Sequence, residues 1–343
     1  MSAGMDHTCG VTAAGDVYCW GSNGYGQLGD GDTTDRPSPG PVAGGTSFAA
    51  VSAGGRHTCG VMAVGATLCW GANYWGQLGN GTTTIVPPVT SPGPVMGIRL
   101  AAVSAGMEHT CGVTAAGAAY CWGLNVRGQL GDGTTTDRPS PVLVAGGLSF
   151  AAVSAGGAHT CGVTAAGAAY CWSVNIFGQL GNGTTSDSIV QSSPGLVVGG
   201  VSFAAVSAGG EHTCGVTAAG AAYCWGVNDY GQVGDGDTTD WTPRSSPVLV
   251  TGGLSFVAVS AGTDHTCGVT TSGAAYCWGA DNVGQLGDGT ITYFRSSPAR
   301  VTGGVRFAAV SLGPSYSCGV TTAGAAYCWG ANYGSSPVRV SLR

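Results

Sequence analysis

The sequence contains no lysine, and its 11 basic residues are all arginines. Charged residues of both signs make up only 8% of the 343 residues, and the formal net charge is −6. Nucleic-acid surfaces need clustered lysine and arginine, so the composition argues against a nucleic-acid partner. No run of eighteen apolar residues occurs. We therefore expect no membrane insertion.

Glycine is abundant instead, with 64 residues, and 43% of the sequence is hydrophobic. Much glycine with little charge can indicate disorder. The hydrophobic fraction and the regular spacing of aromatic residues indicate a packed core here.

The 14 cysteines form seven pairs, and the members of each pair are ten residues apart. Successive pairs lie 50 to 53 residues apart, and their flanks recur as "HTCGV" and "CWG". A fixed period of this size indicates a repeat architecture. We expect one domain, residues 1–343, built of seven repeats of about 50 residues. The pairs are Cys9 with Cys19, Cys59 with Cys69, Cys111 with Cys121, Cys161 with Cys171, Cys214 with Cys224, Cys267 with Cys277 and Cys318 with Cys328.

One repeat, residues 98–147, contains four short β-rich runs separated by turns. They read "IRLAAVSAG", "HTCGVT", "AAYCWG" and, after a long polar loop, "PVLVAGG". Helical periodicity is absent from all four, which indicates an all-β protein. Four strands in a unit of this length are typical of a propeller blade. The sequence therefore predicts a seven-bladed β-propeller of four-stranded antiparallel blades.

The turn inside the cysteine pair predicts the register of its hairpin. If residues 115–117 form a three-residue loop with Gly117 in the left-handed conformation, Cys111 lies directly opposite Cys121. Gly112 then lies opposite Tyr120 on the other face and leaves room for the ring. Directly opposed strand residues have Cβ atoms about 4.5–5.5 Å apart, which is close to the distance that a disulfide needs.

We expect all seven pairs to form disulfide bonds, each worth about 2–3 kcal/mol in the chain-entropy model. Reduced cysteines packed as small apolar residues are the alternative. A zinc site is not expected, because no CxxC occurs and one hairpin offers only two of four ligands. Disulfides would imply an oxidising compartment, so we expect an extracellular or periplasmic protein. The sequence shows no signal peptide, and Met1 stands where other repeats have valine, so we also expect a truncated N-terminus.

The recurring pattern "VSAG–HTCGVTAAGAAYCWG–N–GQLGDG" resembles the regulator of chromosome condensation repeat family. The resemblance covers Ser2 to about Arg343 and implies a seven-bladed propeller. The last repeat departs from it, with Tyr316 in place of histidine and "ANYGSSP" in place of the GQLG loop. We expect this repeat to close the ring, with "SPVRVSLR" pairing near the N-terminus. The marks of the family include the glycine of SAG (Gly54, Gly106, Gly156), the histidine of HTCG (His57, His109, His159), the Trp-Gly step (Trp70-Gly71, Trp122-Gly123) and the glutamine of GQLG (Gln77, Gln129, Gln179).

The family includes members with different functions, and fold alone does not choose among them. The nuclear exchange factor carries a basic tail that this acidic chain lacks. The plant ultraviolet-B receptor uses a Gly-Trp-Arg-His-Thr motif, and the matching stretch here, residues 54–58, has glycine in place of the tryptophan. The secreted β-lactamase-inhibitory propeller is similar in blade number and binds its target through aromatic-rich loops on one face.

Comparison among the repeats predicts which face binds. Alternating strands place the loop before each HTCG and the loop after each WGxN on one face, where the residues vary. The loops of the other face, such as "TAAGA", recur nearly unchanged. Tyr, Trp and Arg are enriched at binding hot spots. Loop drift, with these side chains folded over their own blades, is the alternative. The predicted partner-binding residues are Tyr25, Arg56, Tyr74, Trp75, Glu108, Arg127, Phe177, Glu211 and Tyr230.

Two patterns resemble metal sites, and we expect no metal at either. Six equivalent histidines could ring the axis, but each is expected to be a structural residue satisfied by the backbone. The stretch "DGDTTD" at residues 30–35 and 235–240 could bind calcium. Other repeats lose these carboxylates, so we expect the first Asp or Asn to cap its own turn. The histidines are His7, His57, His109, His159, His212 and His265.

The sequence favours a secreted, monomeric, non-enzymatic scaffold that binds an unidentified protein and needs no cofactor. A lectin-like or small-ligand binder using the axial cleft is one alternative, and an inhibitor of a secreted enzyme is another. A catalytic site on a repeat protein should break the pattern. The notable breaks form no recognisable catalytic set, and they are Ser173, Trp241, Tyr316 and residues 293–295.

Overall fold

The computed structural model describes residues 1–237 and 242–341, and within them it shows seven four-stranded antiparallel sheets. Strand order in each sheet follows the sequence, so each sheet is a meander whose strands we label A to D. The A strands surround a central axis, and each contacts the A strand of the next sheet. The last A strand contacts the first, which closes the ring. The described residues contain no helix. The chain is thus a seven-bladed β-propeller, as predicted.

The A strands are joined around the axis by hydrogen bonds between serine and alanine. The Ala105 N–H donates to Ser52 Oγ of the preceding blade at 2.9 Å. The Ala3 N–H donates in the same way to Ser311 Oγ, across the closure of the ring. The A strands are β1 (Ser2–Ala3), β5 (Ala50–Ala53), β9 (Ala102–Ala105), β13 (Phe150–Ala155), β17 (Ala205–Ala208), β21 (Phe256–Ala261) and β25 (Phe307–Leu312).

The B and C strands form the predicted hairpins. Cys111 pairs with Cys121 and Gly112 with Tyr120. Gly117 has a φ of 83°, which glycine adopts without a Cβ clash. The B strands are β2 (His7–Val11), β6 (His57–Val61), β10 (His109–Val113), β14 (His159–Thr164), β18 (His212–Val216), β22 (His265–Thr270) and β26 (Tyr316–Thr321). The C strands are β3 (Val17–Gly21), β7 (Thr67–Asn73), β11 (Ala119–Gly123), β15 (Ala169–Asn175), β19 (Ala222–Gly226), β23 (Ala275–Ala280) and β27 (Ala326–Gly330).

Each of the seven cysteine pairs forms a disulfide between the B and C strands of one blade. All of these side chains are buried, and no free cysteine occurs in the described part of the chain. The predicted pairing is confirmed in every blade. Seven disulfides in one chain of this size point to an oxidising environment, extracellular or periplasmic. The bonds join Cys9 to Cys19, Cys59 to Cys69, Cys111 to Cys121, Cys161 to Cys171, Cys214 to Cys224, Cys267 to Cys277 and Cys318 to Cys328.

The space over the HTCG glycine is filled differently from our expectation. We expected Gly112 and its equivalents to make room for the tyrosine opposite. A Cβ on Gly162 would instead lie 2.6 Å from Cδ1 of Phe150, the residue that begins β13. Phe150 in turn meets Tyr170 edge to face, with ring centroids 6.2 Å apart. At Gly10 no described atom lies within 4 Å of the Cβ position.

The D strands form the outer edges and pair with the C strands across a β-bulge. The expectation that the last strand pairs near the N-terminus is wrong for the described residues, because that strand pairs only with β27. It completes blade 7 as an ordinary D strand. The D strands are β4 (Arg36–Pro41), β8 (Thr84–Pro94), β12 (Arg138–Leu143), β16 (Ser186–Leu196), β20 (Arg244–Leu249), β24 (Phe294–Arg300) and β28 (Gly334–Val340).

The hydrophobic core is divided among the seams between blades. In one seam, the disulfide between Cys111 and Cys121 packs with Leu130 from the C–D loop of the same blade and with Phe150 and Trp172 of the next. The other seams repeat this set with local changes. Each blade therefore depends on its neighbours for burial, as in other repeat proteins. None of the described residues forms a helix long and apolar enough to cross a membrane.

Candidate binding face

The C–D loops begin with a turn whose backbone is held by one asparagine and one glutamine. In blade 3, Asn125 Oδ1 accepts a hydrogen bond from the Leu130 N–H at 3.0 Å. Gln129 Oε1 accepts from the Arg127 N–H at 2.9 Å, and the Gln129 carbonyl accepts from Trp172 Nε1 of the next blade. Hydrogen bonds thus hold the turn both internally and to the next blade, while the Arg127 side chain is exposed.

The same hydrogen bond to a glutamine Oε1 recurs in six C–D turns. Its donor is always the N–H two residues before the glutamine, but the residue type at that position varies. Five of these six residues belong to the predicted set. The backbone of the face is therefore constant, and the side chains that it presents vary in size and charge. The six residues are Tyr25, Trp75, Arg127, Phe177, Tyr230 and Val283.

The structure brings three predicted residues together on blades 1 and 2. The Arg56 guanidinium carbon lies 4.8 Å from the centre of the Tyr25 ring, in a cation–π arrangement. Tyr25 also meets Tyr74 edge to face, with ring centroids 6.0 Å apart. Arg56 is exposed and the two tyrosines are half-buried. This cluster, Tyr25, Arg56 and Tyr74, is the aromatic cluster of the face.

A second, acidic group lies on the opposite part of the ring. Burial raises the pKa of Glu211, nearby Asp264 raises it further, and Arg127 opposes this. Burial also raises the pKa of Asp264. Tyr230 contacts Tyr293, with ring centroids 5.7 Å apart. Asp264 was not predicted, although it precedes its histidine just as Arg56 and Glu211 do. That equivalence was the signal that could have found it.

The other predicted residues of the face are Trp75 and Phe177, at equivalent C–D turn positions, and Glu108, which directly precedes its histidine. Trp75 exposes 38% of its surface, and the other two are half-buried. Such exposure of an indole at a rigid turn provides apolar area for contact with another molecule.

Each of the six histidines has a side-chain hydroxyl as the partner of Nε2, whereas we expected backbone partners. His109 Nε2 lies 2.8 Å from Thr160 Oγ1 of the next blade. That hydroxyl donates to the Gln129 carbonyl, so it accepts from the imidazole. Burial lowers the pKa of His109 to about 3, which keeps it neutral. The described residues contain no group of three or more His, Cys, Asp or Glu that could hold a metal. The remaining pairs are His7–Thr58, His57–Thr110, His159–Thr213, His212–Thr266 and His265–Ser317.

The aspartate-rich loops cap their own turns, as predicted. Asp132 Oδ1 accepts from the Thr134 N–H at 3.0 Å, and Asp132 Oδ2 accepts from Arg138 Nε at 3.0 Å. In the calcium candidate at residues 30–35, Asp30 pairs with Arg36. In the second candidate, residues 235–240, the last three positions lie outside the described residues, as does Trp241.

The axial cleft is a small cavity of 190 Å³ lined mainly by the Ser-Ala-Gly ends of the A strands. Pockets for drug-sized ligands usually measure about 300–1,000 Å³. Serine hydroxyls of the ring already accept hydrogen bonds from alanine N–H groups of the next blade. The cleft therefore offers few free polar groups to a sugar.

The regulator of chromosome condensation (RCC1) repeat matches residues 14–61, 65–113, 116–163, 166–216, 219–269 and 272–320. The chain belongs to the RCC1 repeat family. This RCC1-repeat chain is 33% identical over 339 residues to the ultraviolet-B receptor UVR8 of Arabidopsis thaliana, a match that covers 97% of the chain. The chain spans 64% of the receptor's length.

Solved structures show the same RCC1-type fold at low identity. Human WBSCR16 superposes with a TM-score of 0.83 at 20% identity, covering 95% of this chain and 94% of WBSCR16. Prp20p of Saccharomyces cerevisiae superposes with a TM-score of 0.78 at 20% identity, covering 92% and 80% of the two chains. Prp20p was studied for its binding to Gsp1p and histones.

Two breaks in the RCC1 repeat have structural roles. Ser173 replaces a glycine at a φ of 109°, and its hydroxyl lies 2.6 Å from the carbonyl oxygens of Arg127 and Ala158. Tyr316 replaces the seventh histidine. Its hydroxyl donates to the His7 carbonyl at 2.8 Å and lies 3.0 Å from Thr8 Oγ1, which completes the ring of side-chain bonds.

Proposed function

We propose that this protein is a monomeric, non-enzymatic scaffold that binds a protein partner outside the cell or in the periplasm. Binding takes place on the face formed by the A–B and C–D loops. The observation that carries the proposal is the glutamine-held turn, which presents a large side chain at the same position in blades 1 to 5 on a constant backbone. A preorganised backbone reduces the entropy lost when such side chains bind.

The two groups on the face suggest the chemistry of the partner. The aromatic cluster and Trp75 offer flat apolar surface, whereas Glu211 and Asp264 place carboxylates across the ring. A protein with an exposed apolar patch flanked by basic residues would complement both. The seven disulfides support secretion, because such bonds persist in oxidising compartments.

The double substitution Trp75→Ala and Phe177→Ala tests the face. Truncation of one hot-spot residue costs about 2 kcal/mol or more, so binding should weaken at least about thirtyfold even if only one of the two is a hot spot. The melting temperature should change little, because the glutamine bonds to the backbone remain. The matched control is Leu143→Ala with Leu249→Ala, two D-strand residues that are 52% and 56% exposed.

Partner capture from the culture medium, followed by titration of the captured protein, measures the effect. Equal binding by both double variants would overturn the proposed face. A large fall in melting temperature for the first variant would instead support the alternative in which these side chains pack over their own blades. If the captured protein is an enzyme, the same variants test whether the face inhibits it.

The small volume of the axial cleft, 190 Å³, and its few free polar groups argue against the alternative in which the protein binds a small ligand or glycan there. Glycan-array binding that survives the Trp75→Ala and Phe177→Ala substitutions would support that alternative against protein binding.

A further inference from the structure

Most seams of the propeller are filled by the Gln-Leu-Gly segment of a C–D loop. Between blades 1 and 2, Trp70 Nε1 and Thr58 Oγ1 both donate to the Gln27 carbonyl, at 3.0 and 2.8 Å. Leu28 is 1% exposed in the same seam, and a Cβ on Gly29 would touch the Trp70 ring. The tryptophan and threonine of one blade thus hold the loop of the preceding blade.

Blade 1 has the same tryptophan and threonine donors, but blade 7 lacks the C–D loop whose carbonyl would accept their hydrogen bonds. Trp20 and Thr8 occupy the positions of Trp70 and Thr58, whereas the C–D connection of blade 7 consists of residues 331–333. The Tyr333 hydroxyl accepts the Trp20 Nε1 hydrogen bond at 3.0 Å in place of a glutamine carbonyl.

A cavity of about 600 Å³ remains at this seam. Its walls include Trp20, Tyr316, Tyr333, Asp35 and Arg36. The volume lies in the usual range for ligand sites, about 300–1,000 Å³. The cavity opens among A–B and C–D loops but shares no lining residue with the nine predicted partner-binding residues, so it is a second candidate site on the same face.

We propose that this seam cavity binds a loop of a protein partner in which a leucine or valine follows a glutamine and precedes a glycine. The other seams show which kind of side chain fits between two blades, because each buries one leucine or valine beside the tryptophan of the next blade. A carbonyl of the incoming loop would replace the Tyr333 hydroxyl on Trp20 Nε1, and its aliphatic side chain would pack near the disulfide between Cys318 and Cys328. The aliphatic residues of the filled seams are Leu28, Leu78, Leu130, Leu180, Val233 and Leu286.

A second copy of this chain does not provide the loop, because its own six segments are held in their seams, five by tryptophan bonds. In the sixth, the Gln285 carbonyl accepts a hydrogen bond from Ser317 Oγ. We therefore commit to a different protein with a free loop of this type as the occupant. This proposal does not depend on the aromatic-rich face, and it can hold if that face fails.

A cyclised peptide with the sequence of residues 23–31, "NGYGQLGDG", is the probe. Fluorescence anisotropy with the labelled peptide should show saturable binding to the protein. Binding should weaken at least tenfold when glycine replaces the peptide's leucine, and also in the protein variant Ser22→Trp, which fills the cavity. The control variant Ser22→Ala should bind normally, and so should Trp75→Ala with Phe177→Ala.

Photo-crosslinking and a loop graft make the test independent of any folding defect in Ser22→Trp. A photoreactive leucine in the peptide should crosslink to blades 1 and 7. Replacing residues 331–333 by the blade 6 loop, residues 280–293, should fill the cavity from within, abolish peptide binding and keep the β-rich circular dichroism spectrum. Absent saturable binding, indifference to the leucine, or crosslinks confined to other blades would overturn the proposal.

Discussion

The glycine of each HTCG strand shows how the role of a residue depends on its surroundings. Gly162 lies under Phe150, so the glycine creates the space into which the phenyl ring packs. The equivalent Gly112 lies under Leu100 instead, whose Cδ1 would be 2.5 Å from a Cβ at that position. The two glycines have the same strand position and the same local sequence, and they differ in the side chain that covers them.

Gly162→Ala should therefore destabilise the protein. A Cβ 2.6 Å from the Phe150 ring forces the ring to move, and overpacking of this kind costs about 1–3 kcal/mol. The control is Gly24→Ala, at an exposed turn position where no described atom lies within 4 Å of the Cβ position, and its effect should stay within about 0.5 kcal/mol. Urea denaturation of both variants measures the difference. Equal losses at the two positions would contradict the assignment of the space to Phe150.

At the scale of the element, the B–C hairpin combines a glycine turn with a disulfide between directly opposed residues. The turn places Cys111 opposite Cys121, and the bond then prevents the two strands from separating. The bond closes a loop of about eleven residues, so its chain-entropy contribution is modest for each blade. Neighbouring hairpins share a seam, so these contributions need not add.

Replacing Cys111 and Cys121 together by alanine should lower the free energy of unfolding by about 2–3 kcal/mol. The unfolded chain gains freedom in the loop between the two positions, while the other six bridges remain. Chemical denaturation measures the loss, and peptide mapping without reductant should still find Cys161 linked to Cys171. Free thiols in the native protein, with no loss of stability in the variant, would support the reduced alternative.

At the scale of the whole molecule, the buried histidines make the ring sensitive to acid. Burial lowers the pKa of His109 to about 3, and it lowers the pKa values of the other five histidines to about 3 or 4. In the unfolded chain these groups take up protons below their ordinary value of about 6.5. The unfolded state therefore binds more protons in this range, and stability falls as the pH falls.

Above about pH 7 these histidines should make no pH-dependent contribution to the free energy of unfolding. From about pH 6.5 towards pH 4 that free energy should decline. Each histidine contributes a slope of up to about 1.4 kcal/mol per pH unit. Urea midpoints at several pH values measure the decline. His109→Gln keeps an N–H donor for Thr160 and removes one titrating group, so its slope should be smaller. Midpoints that do not change with pH would contradict this account.

Local spacing determined much of the structure. The period of the cysteine pairs predicted seven blades, and the Ala-Ala-Gly turn predicted the register that places each pair together. The register involves residues within about a dozen positions of one another, where turn geometry restricts the possible pairings. The variable residues of the proposed binding face could be assigned to one face as well, because strand alternation assigns each loop to a face.

Tertiary structure decided what lies across each seam. The threonine partners of the histidines, the ring over Gly162 and the bond between Tyr316 and Thr8, 308 residues apart, were not predicted from local spacing. The cavity beside Trp20 likewise exists because the loop of blade 7 is short while blade 1 keeps its receiving groups. The sequence showed that short loop and determined the blades themselves. Whether the short loop leaves a cavity was decided only by the packing of blade 7 against blade 1, because contacts between blades depend on how the ring closes.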